Sequence, residues 1–155
     1  MRRVTAMLSA AAFVLATAVA FAQAPNFAGK WAPDADKNPA PAAGGGGGGR
    51  GGGRGGGGPM TITQDAKTFT IEQDMGGNAV KTVYNLDGSE SKNMQMGRGG
   101  QTEVVSTAKW DGAKLVITTK TANGDQVTSY YMDGSDLVRE RTTQNGPQKT
   151  YFKKG

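Results

Sequence analysis

After residue 60 the chain alternates between apolar and polar positions, and the alternation breaks at regular intervals. Phe69 and Ile71 oppose Thr70 and Glu72, and Val80, Thr82, Tyr84 and Leu86 oppose Ala79, Lys81, Val83 and Asn85. Further on, Val104, Ser106, Ala108 and Trp110 oppose Glu103, Val105, Thr107 and Lys109. Leu115, Ile117 and Thr119 oppose Lys114, Val116, Thr118 and Lys120, and Val127, Ser129 and Tyr131 oppose Gln126, Thr128 and Tyr130. A period of two is that of a strand with one buried face. The breaks are turn pairs at Asp87-Gly88, Asp111-Gly112, Asn123-Gly124, Asp133-Gly134 and Asn145-Gly146. Asx-Gly between alternating runs is a strong hairpin signal, because both residues tolerate the positive φ of a type I′ turn. Weaker turn signals fall at 65–67, 76–78 and 97–100. The pattern predicts strands at 60–64, 68–74, 79–86, 89–95, 101–110, 113–121, 126–133, 136–143 and 148–153, with an opening strand near 27–32. No useful amphipathic helix pattern accompanies them.

A long ribbon with one apolar face must hide that face. With no helix to cover it, the economical solution is to curl and close, which also removes exposed edges. The expected fold is therefore all-β: an antiparallel up-and-down meander of about 8–10 strands, closed or nearly closed into a barrel. The last strand, Lys149 to Lys153, is expected beside the opening strand.

Composition divides the chain. Arg2-Arg3, the apolar run from Val4 to Ala20 and the small residues Ala20 and Ala22 read as a secretory signal at 1–22, with cleavage between Ala22 and Gln23. The expected location is periplasmic or secreted, with no stable membrane anchor after cleavage. Residues 23–37 carry the opening strand. Residues 38–59 are Pro/Gly-rich, glycine from 44 to 58 broken only by Arg50 and Arg54, and are expected to be a disordered loop. Residues 60–155 form one domain with the opening strand. The 18 basic and 13 acidic residues give a net charge of +5. Removing Arg2 and Arg3 leaves +3, and setting aside Arg50 and Arg54 leaves about +1 for the folded part. That is no electrostatic footprint for nucleic acid. The chain has no cysteine and no histidine, which removes disulfides, thiol and imidazole catalysis, and Cys/His metal sites.

Two features carry a family resemblance. Phe27-Ala28-Gly29-Lys30-Trp31 is an F-x-G-x-W motif on the opening strand, and the meander ends in Lys149-Thr150-Tyr151-Phe152-Lys153-Lys154. Together they resemble the calycin superfamily, the lipocalins and fatty-acid-binding proteins, and more narrowly small exported bacterial lipocalin-like proteins. The resemblance implies a lipocalin-like barrel. It gives Phe27, Gly29 and Trp31 a structural role, with Trp31 across the closed end under a cation–π contact from Arg139 or Arg141. It also implies a small lipophilic ligand. Two departures stand out. The helical lid of the fatty-acid-binding proteins is replaced by the glycine tract, and their R-x-Y carboxylate grip is matched only by Lys149-Thr150-Tyr151.

The residue pattern nominates ligand contacts with alternatives beside them. Tyr84, Trp110 and Tyr131 share the predicted inner face, as ligand platform or as core filling. Arg139 and Arg141 share the parity of Leu137. If that face is outer they are an ordinary solvated pair, the simpler placement; if inner, they need an anion or a carboxylate. Lys149 with Tyr151 is a candidate anion grip. Asp87, Asp111 and Asp133 each precede a turn glycine, so turn chemistry accounts for them without a metal. No nucleophile–base pair nominates an enzyme, and no cofactor is implied. Two readings follow: a barrel binding a small hydrophobic or amphipathic molecule, or a non-catalytic structural or interaction domain of the cell envelope with a filled core. Small inward residues at Ser106, Ala108 and Ser129 leave room for the first.

Overall fold

A computed structural model describes residues 24–38, 58–74, 77–97, 100–143 and 146–155. The segment 1–22 expected to be a secretory signal, its expected cleavage point and the Pro/Gly tract between 39 and 57 lie outside the described residues. The described chain forms ten strands: β1 Gly29–Pro33, β2 Met60–Gln64, β3 Thr68–Asp74, β4 Ala79–Asn85, β5 Glu90–Gly97, β6 Gly100–Asp111, β7 Lys114–Thr121, β8 Gly124–Asp133, β9 Asp136–Thr143 and β10 Gly146–Lys154. They make one sheet in the order β4-β3-β2-β1-β10-β9-β8-β7-β6-β5, every pairing antiparallel. The meander thus curls until β10 lies beside β1, with Trp31 opposite Lys154. The barrel is nearly closed, and the strands flanking its seam are β4 and β5.

Alternate turns lie at opposite ends. The turns at Asp65, Asp87-Gly88, Asp111-Gly112 and Asp133-Gly134 mark one end, called here the Asp-Gly end; those between β3 and β4, β5 and β6, β7 and β8, and β9 and β10 mark the Asn-Gly end. Turn chemistry departs from the type I′ expectation. Asp111 pairs with Lys114 and Asp133 with Asp136, and the positive φ falls on Gly112 (59°) and Gly134 (64°) with none on any non-glycine described. Glycine at the first central position is the type II′ arrangement, which twists the strands the same way without placing aspartate in left-handed backbone.

Register decides which side chains point in. Trp110 opposes Leu115, Leu115 opposes Tyr130, Tyr130 opposes Arg139 and Arg139 opposes Thr150, so all five share the inner face. This overturns the expected parity of β8: Gln126, Thr128 and Tyr130 point inward, whereas Val127, Ser129 and Tyr131 point outward. Ser129 therefore leaves no room inside. The physical reason is that both parities of β8 carry similar residues, while Leu115 and Ile117 on one side and Leu137 on the other have a single apolar parity that fixes the pairing.

The core fills the Asp-Gly half. Phe27, Phe69, Leu115, Leu137 and Phe152 are fully buried, with Trp31, Met60, Ile62, Ile71, Ile117 and Tyr130 nearly so. Phe27 plugs this end. Its ring meets Phe69 edge-on at 6.2 Å and Trp110 at 5.7 Å. Its N–H donates to Gln64 Oε1 at 3.0 Å, and its carbonyl accepts from Trp31 Nε1 at 2.9 Å. The F-x-G-x-W motif is thus a stopper that ties its own ends together.

Outside the barrel, Pro33 ends β1 and residues 34–38 turn over β10 as a strap. Asp34 N–H and Asn38 Nδ2 donate to the Tyr151 carbonyl at 2.9 and 2.8 Å, and Tyr151 N–H donates to Asn38 Oδ1 at 2.7 Å. Lys153 pairs with Asp34 and Asp36, each at 3.0 Å, and Lys37 pairs with Asp136. Val138, outward by register between Tyr131 and Tyr151, is fully buried at this covered face.

Candidate functional site in the barrel interior

Following the inward positions from one end to the other exposes an asymmetry. On β1–β4 they are mostly apolar, with Trp31, Met60, Ile62, Phe69, Ile71 and Val80 outnumbering Gln64, Gln73 and Thr82. On β6–β10 they begin apolar at the Asp-Gly end, with Trp110, Leu115, Tyr130, Leu137 and Phe152, and become polar toward the Asn-Gly end. There stand Ser106, Thr119, Thr128, Arg141 and Thr150. Beyond the packed floor, an apolar wall therefore faces a polar one. Every Asp and Glu in the described strands points outward by register.

Arg139 and Arg141 are inward, which corrects the solvated placement. Arg139 is 7% exposed, and its guanidinium lies over the Phe152 ring at 5.4 Å. Arg141 is half-buried, and its Nε is buried without a hydrogen-bond partner. Burial, followed by the like charge of Arg139, pushes the Arg141 guanidinium pKa down, while Tyr130 and Tyr84 act in the opposite sense. Burial pushes the phenols of Tyr84 and Tyr130 well above the ordinary tyrosine value, more than the two arginines pull them down. Both phenols are therefore neutral at physiological pH and keep a proton to donate. Two guanidiniums and two phenols converge on the inner face, a donor-rich cluster suited to an anionic oxygen.

The other nominated residues separate. Tyr84 and Trp110 are inward, but both pack on the core: Tyr84 against Phe69 at 6.3 Å, Trp110 against Phe27. Tyr131, Lys149 and Tyr151 are outward and do not meet the interior. Tyr131 OH donates to Glu140 Oε2 at 3.1 Å, and Lys114 and Lys149 lie over its ring at 4.7 and 6.0 Å. Lys149 pairs with Glu140 at 3.6 Å, and Lys37 lies over the Tyr151 ring. The cation over Trp31 is Lys154, at 6.0 Å, rather than Arg139 or Arg141, because register sets Lys154 opposite Trp31 and Arg139 beside Phe152. Sequence reading missed Tyr130, the central inward phenol; its neighbour Tyr131 gave the same signal one position away. A separate pocket of about 390 Å³ lies at the start of β2, lined by Trp31, Ala32, Pro59, Met60, Gln73 and Ala79 among others, away from the arginines.

No protein-family model matches the chain, and no curated protein matches it by sequence. Its likeness is to solved barrels. A tyrosine-to-phenylalanine variant of the REP1-NXSQ fatty acid transporter superposes with a TM-score of 0.53 at 15% identity, over 63% of this chain and 71% of that one. An asparagine variant of the fluorescent protein UnaG superposes with a TM-score of 0.52 at 18% identity, over 63% and 70%. At such identities the likeness is one of fold alone: a nearly closed antiparallel β-barrel like those two.

Proposed function

We propose that this protein is an exported carrier that encloses a small amphipathic anion, a lipid-like carboxylate being the simplest, inside its barrel. The observation that carries the reading is Arg141: an inward, half-buried guanidinium with a buried Nε lacking a partner, on a face whose strand positions hold no carboxylate. A buried charge is costly unless something compensates it. A bound carboxylate would do so with charge-assisted hydrogen bonds, assisted by the neutral phenols of Tyr84 and Tyr130. The apolar wall of Trp31, Met60, Ile71 and Val80 then takes the aliphatic part. That a barrel of the same fold is a fatty acid transporter supports the ligand class. Export rests on the basic-then-apolar leader and its small-residue cleavage pattern at 1–22. The chain lacks cysteine and histidine, and the inner face gathers donors without a nucleophile–base pair, so the work is enclosure.

The test is calorimetric titration with oleate, and separately with oleyl alcohol, which has the same tail and no charge. The reading expects saturable binding at one site per barrel, with the acid at least tenfold tighter. Equal affinity for the two removes the arginine grip, and no binding of either removes the carrier reading.

A further inference from the structure

The barrel is closed by nine β-ladders and one seam. Between β4 and β5 no ladder forms, and side chains take its place. Asn93 Nδ2 donates to the Val83 carbonyl at 2.8 Å, while Val83 N–H donates to Asn93 Oδ1 at 2.9 Å. Asn85 N–H donates to Ser91 Oγ at 2.8 Å, and Asn85 Nδ2 donates to the Glu90 carbonyl at 3.2 Å. Among the described residues no other hydrogen bond crosses the seam. All four lie in the half nearer the Asp-Gly end.

Asn93 is 9% exposed and Ser91 6%, unusual for polar residues on an edge strand. Each is inward by parity yet spends its polar atoms on the backbone of the neighbouring edge. The Asn93 amide turns one N–H and its oxygen to Val83, so it imitates the peptide group a ladder residue would present. The edges are thereby satisfied without committing β5 to a continuous ladder. A ladder opens cooperatively over its whole length; a side-chain latch opens when two residues change rotamer. Directly behind it on β4 is Tyr84, whose phenol lies within the electrostatic reach of Arg141 and Arg139.

We infer that the β4–β5 seam is the gate through which a ligand reaches the interior, and that Asn93 and Ser91 are its latch. The gate rests on the interior being the binding site; the latch does not. The latch predicts that the amides of Val83 and Asn85 exchange with solvent faster than those of the β7 and β8 ladder in the unliganded chain. Asn93→Ala removes both bonds to Val83 and accelerates exchange at Val83 roughly tenfold or more, with protection at Val116 and Ile117 unchanged. Asn93→Asp keeps the acceptor, loses the donor and falls between; it also serves if the alanine variant folds poorly.

The decisive experiment pairs hydrogen exchange followed by NMR with stopped-flow binding of anilinonaphthalene sulfonate, an amphipathic fluorescent anion, to the full chain. The gate predicts that the association rate rises with Val83 exchange across wild type, Asn93→Asp and Asn93→Ala, while the dissociation constant changes by less than about threefold. Unchanged exchange at Val83 overturns the latch. Faster exchange with an unchanged association rate overturns the gate alone. A wild-type protein that binds no probe overturns the carrier reading and the gate with it, and exchange still decides the latch.

Discussion

Replacing Arg141 by methionine should make the empty barrel more stable and the carrier worse. The side chain is half-buried, its Nε is buried without a partner, and Arg139 adds a like charge on the same face. Leaving a donor buried and unsatisfied costs about 1–3 kcal/mol, and more when the group is charged. Because Arg141 keeps some access to water, the low end applies, about 1 kcal/mol. Methionine preserves the aliphatic stem and its packing while removing the charge. In a folded part of about 100 residues that gain corresponds to a rise in Tm of about 4–8 °C, read by calorimetry without ligand. The same change removes charge-assisted hydrogen bonds worth about 1.5–3 kcal/mol from a bound carboxylate, so affinity for oleate should fall about 10- to 150-fold. Affinity for oleyl alcohol should hold within about twofold, since only the charged contact is lost. A fall in Tm of several degrees would show that Arg141 holds the fold together. Unchanged oleate affinity would show that it does not hold the ligand.

Three further outcomes test other parts of the structure. Phe27→Ala empties the stopper at the Asp-Gly end and should cost about 3–5 kcal/mol, measured by urea unfolding; a cost below about 1 kcal/mol would mean that Phe69 and Trp110 close the gap. The phenols of Tyr84 and Tyr130 have raised folded pKa values, so the stability they contribute is complete below the unfolded value of about 10 and is lost as pH rises toward the folded values. Ultraviolet titration should find Tyr84 and Tyr130 silent until the barrel unfolds, and their ionisation near pH ~10 with near-UV dichroism intact would contradict their burial. At the strap, burial pushes the Asp34 carboxyl up, but Lys153 and the backbone amides of Asp36 and Lys37 outweigh it and hold the pKa below the ordinary value. The stability linked to Asp34 is therefore present above about pH 4 and fades as pH falls through the folded value, so NMR signals of Asn38 and Tyr151 should shift together in acid; their constancy down to about pH 2 would refute the ion pair's role.

Much of this architecture was legible in the sequence. From β3 onward each reversal is marked by a turn glycine, and Phe69, Ile71, Leu115 and Ile117 alternate without ambiguity, so a meander of about ten strands follows. What was not legible has a common cause: positions where both parities look alike. Gln126, Thr128 and Tyr130 against Val127, Ser129 and Tyr131 differ too little for the period alone to choose, and only the pairing with β7 and β9 does. The orientation of Arg139 and Arg141 hung on the same choice. Their inward placement runs against the ordinary preference of charged residues for solvent, a local conflict of the kind functional sites carry. Lys149-Thr150-Tyr151 resembled an anion grip by composition, yet register turns Lys149 and Tyr151 to the outer face, with Thr150 alone between them inside. The latch was hidden for another reason. Ser91 and Asn93 read as ordinary polar residues, and nothing local says that their partners lie on β4.

The central claim is that a small amphipathic anion sits inside, with its charged end at Arg141. The most direct measurement is the set of nuclear Overhauser contacts between isotope-labelled oleate and the protein. The account predicts contacts from the aliphatic chain to Ile71 and Val80, contacts near the carboxyl end to Tyr84 and Thr128, and none to the outward Val105 and Val116. Contacts confined to outward residues, or to the pocket at Pro59 and Ala32, would contradict it.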